Sequence, residues 1–309
     1  MAMRIGLVAV DGHSNFPNLA LMKLSAWHKQ QGDIVEWAVP LFGEYDRVYQ
    51  SKVFTFTPDD TTPWNCEVIK AGTGYHDYST RLSYEQEHVC PDYSLYPDFD
   101  AALGFTTRGC VNKCPWCIVP GKEGAITAHA DIDEFLGGRK KIVLLDNNIL
   151  AHQHGIEQLS KCADRGLYVD CNQGMDARLV TSEIANILAR VKWQHRRIRF
   201  AADTSPMIRI VKRAVDMLRS AGYTGEFFIY ALLVGDINEC VNRVLELKNY
   251  DPKIYIHAQP YRNFTGLNKI PQWQKDLAYY CNKRMIYKAV ELPDFSPRKG
   301  FRFSEYFRE

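Results

Sequence analysis

No run of about 18 apolar residues occurs in the 309-residue sequence, so none of it is expected to span a bilayer as a helix. The opening "MAMRIGLVAVDGH" goes straight into a short apolar run, so no secretory leader is expected there, and the chain is expected in the cytoplasm. An excess of either charge is missing too. Lys and Arg number 38 against 36 Asp and Glu, and a net charge of +2 neither demands nor excludes a nucleic-acid partner. Composition is otherwise that of a globular protein, 46% hydrophobic and 24% charged, with length enough for two domains. Cysteine is not scarce. Nine thiols in a reducing compartment point to metal binding, catalysis or core packing rather than disulfides.

The first residues read as a β-α-β unit: the strand "RIGLVAV", a helix over "LALMKLSAWHKQQG" and the strand "DIVEWAVP". Two further strand candidates, "DRVYQSKVFTF" and "CEVIKAGTG", are joined by "TPDDTTPWN", too short for a crossover helix. Residues 1–98 are therefore read as a reduced Rossmann-like layer. A tyrosine-rich exit follows, carrying Tyr75, Tyr78, Tyr84, Tyr93 and Tyr96. From there strand candidates open near Ala101, Lys141, Leu167, Arg197, Glu226 and Lys253, with helical patterns filling each gap. Strict alternation predicts a parallel sheet with right-handed crossovers. A closed (β/α)8 barrel takes about 250 residues, so residues 99–262 suit six units rather than eight. The expected fold class is α/β: the reduced layer, then a partial (β/α)6 barrel, then a C-terminal extension over 263–309.

The first interval is the longest, and it holds "GFTTRGCVNKCPWCIVPGKEG". Cys110, Cys114 and Cys117 are too tightly spaced for a disulfide framework and odd in number. A structural zinc site takes four protein ligands, and the nearest later candidate is His129. A cubane iron–sulfur cluster usually takes four cysteines, so three would leave one iron open. An open position marks a reactive centre rather than a structural one. The place fits chemistry as well, because parallel α/β sheets put their sites past the C-terminal ends of strands. Arg108, Lys113 and Lys122 flank the thiols and favour an anionic cluster there; a solvated loop is the plainer reading of those charges.

The CxxxCxxC spacing, the aromatic Trp116 before the last cysteine and the position after the first of six strands resemble the radical S-adenosylmethionine superfamily. The resemblance covers about 164 residues. It implies one 4Fe–4S cluster held by Cys110, Cys114 and Cys117, whose open iron chelates S-adenosylmethionine. It implies reductive cleavage to a 5′-deoxyadenosyl radical that abstracts hydrogen from a substrate, and an electron donor of reductase or flavodoxin type. Trp116 would lie beside the adenine. Where the family often has a Gly-Gly-Glu-like turn for the methionine amino group, this chain has "LLDNN"; Asp146, Asn147 and Asn148 would serve, or would cap a helix. "CNQGMDARLV" offers Asn172, Gln173, Asp176 and Arg178, and Arg178 would pair with the methionine carboxylate or sit as a surface arginine. Asp203 would bond a ribose hydroxyl. "LLVGD" and "HAQPY" would present backbone to the adenosine.

Cys66, Cys90, Cys162, Cys171, Cys240 and Cys281 show no ligand spacing, so a second cluster is not expected and core burial suits Cys171. Methylthiotransferases of the superfamily carry three further N-terminal cysteines, whereas two stand here. The first layer resembles the cobalamin-binding domain of one subgroup. "DGHSNF" carries Asp11 and His13 of that domain's ligand motif, but Phe16 stands where glycine should. "AGTG", with Gly72 and Gly74, fits a close-approach turn. Cobalamin, and with it methyl transfer, is the alternative not favoured; the layer is expected to shape the substrate entrance, with the tyrosines lining it. A non-catalytic iron–sulfur or zinc protein that senses or binds nucleic acid is the competing class. The tail interleaves Arg298, Lys299 and Arg302 with Phe301, Phe303, Tyr306 and Phe307, a pattern that can bind RNA or simply pack on the body.

Overall fold

A computed structural model describes residues 2–12, 16–40, 43–263 and 268–307. His13 lies outside the described residues. The opening apolar run forms β1 (Arg4–Ala9). Asn18 then starts α1 (Leu19–Gln30), its side chain accepting the Leu21 N–H at 3.2 Å. Strands β2 (Ile34–Trp37), β3 (Arg47–Ser51) and β4 (Glu67–Ala71) follow, all parallel, in the order β2-β1-β3-β4. Ile5, Leu7 and Tyr49 bury one face of this sheet against Leu21 and Leu24 of α1. Each such aliphatic side chain contributes roughly 2 kcal/mol by leaving water.

The segment from β3 to β4 carries no helix, as its length predicts. Asp11 fastens it instead: its carboxylate accepts from the Val53 and Phe54 amides at 2.5 and 3.2 Å and from Thr57 Oγ1 at 2.6 Å. Gly72 has a φ of +114°, and a Cβ there would meet the Lys52 carbonyl oxygen at 2.3 Å. The close approach read from "AGTG" is therefore made by the chain's own backbone.

Next come α2 (Tyr84–Glu87) and β5 (Ala101–Gly104). The tyrosines around them sit at different depths. Tyr93 is buried, its hydroxyl donating to the Phe135 carbonyl at 2.5 Å and accepting the Leu103 amide at 3.0 Å. Tyr96 is half-buried and accepts the Asn18 amide at 3.1 Å. Only Tyr84 of the five is largely exposed. A phenol supplies a hydrophobic body and a polar tip, and here both go into the interior.

The chain then forms β6 (Thr107–Arg108), α3 (Val119–Lys122) and β7 (Thr127–Ala128), β6 and β7 pairing antiparallel. This first interval lacks the long helix expected of it. Pro115, Pro120, Gly121, Gly124, Gly137 and Gly138 break every helical run, and α3 is a single turn. Beyond β8 (Lys141–Leu144) the strands and helices read from the sequence are present, with one short strand added: α4 (Gln153–Asp164), β9 (Tyr168–Cys171), α5 (Ser182–Arg190), the added β10 (Lys192–Trp193), β11 (Arg197–Ala201), α6 (Pro206–Ser220), β12 (Glu226–Leu233), α7 (Ile237–Lys248), β13 (Ile254–Pro260), α8 (Gln272–Asn282) and α9 (Arg284–Ala289).

Two compact units divide these elements, one of residues up to 105 with 129–143, the other of 106–128 and 144 onward. In the second, β11, β12 and β13 are parallel neighbours in that order. Met175, just past β9, bridges to β11 through its amide on Arg199 and its carbonyl on Ala201. β12 alternates strictly, burying Phe227, Ile229, Ala231 and Leu233 and leaving Phe228, Tyr230 and Leu232 half-buried on the other face. The class is thus α/β with parallel sheets. Among the described residues no helix is long and apolar enough to cross a membrane.

Candidate functional site

The antiparallel β6–β7 pair closes the base of the cysteine loop. Gly109 makes that closure possible: its φ is +82°, and a Cβ would stand 2.3 Å from the Ala125 carbonyl oxygen. Glu123, with its side chain 8% exposed, ties the loop from inside. Its Oε2 accepts the Gly109 amide at 3.0 Å and Asn147 Nδ2 at 2.8 Å, and Arg108 Nε lies 3.5 Å away. A buried carboxylate needs such partners to offset its lost hydration.

Inside the loop all three cysteines are free and half-buried. The Cys117 amide donates to the Cys114 carbonyl at 3.0 Å, closing a turn between the two. Burial pushes the Cys114 thiol up, and Cys117 and Cys110 push it further, while Arg178 opposes them. Burial likewise raises Cys117; a hydrogen bond with the Val119 backbone opposes it, and Cys110 adds to it. Two raised thiols in one loop resist shedding their protons together unless a cation shares the charge.

Cys110 also receives hydrogen bonds. The Asn112 amide lies 3.4 Å from its Sγ, and Asn148 Nδ2 lies 3.8 Å from it. Both asparagine side chains converge on Asp176, whose Oδ2 accepts Asn112 Nδ2 at 3.0 Å and Asn148 Nδ2 at 3.5 Å. Arg178 grips the same carboxylate with both prongs, Nε to Oδ1 at 2.8 Å and Nη2 to Oδ2 at 2.7 Å. Asn148 is 2% exposed, and its Oδ1 is buried without a hydrogen-bond partner. An unpaired buried acceptor costs about 1–3 kcal/mol, so it marks a place where a donor belongs.

The other predicted residues divide. Asp146 is fully committed elsewhere: buried, it accepts both the amide and the hydroxyl of Thr106 and of Thr107, at 2.5–3.1 Å. It pins the turn that enters β6. Asn147 is likewise engaged by Glu123. Arg178 is exposed, and its fork onto Asp176 lies within the turn that Asp176 caps, as a surface arginine would. Trp116 and Asp203 do come together through a side-chain hydrogen bond, and Asp203 also accepts the Leu232 amide at 2.9 Å. Burial pushes the Asp203 carboxyl up despite those donors. Asn172 lends its carbonyl to Tyr230 at 2.8 Å, and Asp236 of "LLVGD" caps α7.

Next to Asp203, the half-buried face of β11–β13 carries Arg199, Phe228, Tyr230 and His257. Arg199 is held bidentately by Asp170 at 2.6 and 2.8 Å, and Phe228 stacks on His257 with ring centroids 5.4 Å apart. Burial and the Arg199 charge lower the His257 imidazole, favouring its neutral form.

Cys162, Cys171, Cys240 and Cys281 are buried, and burial is the first cause of the high thiol of Cys171. His129 is turned to other partners, its Nε2 3.7 Å from Glu87 and its ring 5.1 Å from that of His88. In the tail, Arg298 and Tyr306 both bond Asp276 of α8, at 2.5 and 2.6 Å, and Phe303 is fully buried, so these residues pack on the body. Among the described residues no three His, Cys, Asp or Glu side chains converge as they would on a single ion. Glu123 and Asn112 are the bracing residues of this loop that sequence reasoning did not single out; a carboxylate inside a glycine-bounded thiol loop was the available signal. A scan against protein-family models and a search of curated proteins find no match to the chain.

Proposed function

We propose that the chain is a radical S-adenosylmethionine enzyme holding one 4Fe–4S cluster on Cys110, Cys114 and Cys117. The observation that carries this reading is three free, half-buried thiols on one loop together with Asn148, whose Nδ2 lies 3.8 Å from Cys110 Sγ and whose Oδ1 is buried without a partner. The donor set suits the group. A cubane takes each thiolate at a different iron, so its ligands stand apart instead of meeting at one point. When bound, the cluster supplies the electron that cleaves S-adenosylmethionine reductively.

The chain's own residues orient the cofactor. Of Asp146, Asn147 and Asn148, Asn148 carries the buried acceptor that has no partner, and it is assigned to the cofactor's amino group. Arg178, clamped by Asp176, keeps Nη1 outside that fork for a carboxylate. Trp116 and Asp203, already joined, are assigned to the adenosine side. The half-buried face with Tyr230 and His257 adjoins them and is assigned to the substrate, whose identity the site chemistry leaves open. In this reading the strands β5, β8, β9, β11, β12 and β13 are the six of a partial (β/α)6 barrel, and the first layer is Rossmann-like.

Anaerobic reconstitution with iron and sulfide, reduction with dithionite and addition of S-adenosylmethionine should yield 5′-deoxyadenosine and methionine, identified by mass spectrometry. Zinc without iron in the purified protein, or an iron–sulfur protein that yields neither product, contradicts the proposal.

A further inference from the structure

We propose that Asn148 is a positioning residue that sets the cluster's reduction potential through an N–H···S hydrogen bond to Cys110, with Asp176 fixing the direction of its amide. This rests on the iron–sulfur reading given above and concerns a separate property of the same site.

The arrangement is asymmetric. Cys110 accepts two N–H groups, from the Asn112 backbone at 3.4 Å and from Asn148 Nδ2 at 3.8 Å. Among the described residues Cys117 has a single hydrogen bond with the Val119 backbone, whereas Cys110 also takes one from a side chain, that of Asn148. A carboxamide has a donor end and an acceptor end, and something must choose between them. Asp176 does so, because its Oδ2 lies 3.5 Å from Asn148 Nδ2 and repels the carbonyl oxygen. The carboxylate is itself fixed by the two prongs of Arg178 and by Asn112 Nδ2. With the donor end held toward sulfur and carboxylate, Oδ1 is left buried and unpaired. Asn148, 2% exposed, has no room to trade its partners for water.

Hydrogen bonds to ligand sulfur stabilise the more negative, reduced form of an iron–sulfur centre and raise its potential. Solvent competes weakly for a donor on a residue only 2% exposed. The Asn112 side chain has a different part: it braces Asp176, while the donor to sulfur is the Asn112 backbone, which any residue supplies.

The test is a redox titration followed by electron paramagnetic resonance, on reconstituted full-length protein without S-adenosylmethionine. Asn148→Ala should keep the cluster and shift its midpoint to a more negative value. The isosteric Asn148→Asp, which puts an anionic oxygen where the donor was, should shift it further the same way, and it is the variant to read should the alanine form hold less than stoichiometric iron. Asn112→Ala should leave the midpoint where it is in the unmodified protein. Asn148 variants with an unmoved midpoint overturn the proposal. So does an Asn112→Ala shift as large as that of Asn148→Ala, which would mean general loosening of the loop. Unmodified protein that takes up no iron defeats the iron–sulfur reading before the variants are compared.

Discussion

Cys110, Cys114 and Cys117 are expected to be individually indispensable. Alanine at any one of them should abolish the cluster, read as loss of bound iron and of visible absorbance. Alanine at Cys66, Cys90, Cys162 or Cys281 should leave iron stoichiometry unchanged; iron lost from one of these four would mean that the thiol count is wrong. Glu123 makes a finer test at the same scale. Its removal strands the Gly109 amide and Asn147 Nδ2 inside the loop, at about 1–3 kcal/mol for each unsatisfied group. Glu123→Ala should therefore lower the denaturant midpoint and the iron content together, and Glu123→Gln, which keeps an acceptor oxygen, should lose less of both. The three thiols could be singled out because their spacing is local in the sequence. Glu123, Asn112 and Asp176 were not weighed as a group because their bonds join residues far apart in sequence, such as Asn112 and Asp176. Asp146 shows the converse: a carboxylate at a strand end reads as a ligand, yet four donors of Thr106 and Thr107 hold it in a structural turn.

Among the elements, α1 and the segment before β5 are joined by one carboxylate. Burial alone would push Asp92 up, but hydrogen bonds from Lys29, Ser25 and Ser94 outweigh it and hold the carboxyl at about 2, below its ordinary 3.8. The sign follows from the depressed value. The stabilisation is present in full above the unfolded-state value and is lost as pH falls from about 4 towards 2. It amounts to about 2 kcal/mol, so Asp92→Asn should lower unfolding free energy by that order at pH 7, and the gap from unmodified protein should close near pH 2. Equal gaps at both pH values would contradict this. The crossover from β3 to β4 carries another prediction. With no helix there to wall a corrin, protein made with hydroxocobalamin and then desalted should show no stoichiometric corrin absorbance, and a one-to-one bound corrin would point to methyl transfer instead. Strands and the later helices were legible from periodicity, α6 and β12 most plainly. The first interval was misread because its prolines and glycines outweigh a weak apolar pattern, and the depth of each tyrosine was not legible because a polar stretch does not tell a buried phenol from an exposed one.

Over the whole molecule, parallel α/β architecture and a thiol loop framed by β6 and β7 support one centre, on which Cys110, Asn148, Asp176 and Arg178 converge. Composition fixed the class of protein, whereas the convergence arises only on folding, because it joins the loop after β6 to those after β8 and β9. The central claim is that this centre is a cluster whose open iron takes S-adenosylmethionine. Its most direct measurement is the electron paramagnetic resonance spectrum of the dithionite-reduced, reconstituted protein, recorded with and without S-adenosylmethionine. A 4Fe–4S signal that changes shape when the cofactor is added is the predicted result, and a signal indifferent to it, or no iron–sulfur signal at all, would contradict the account.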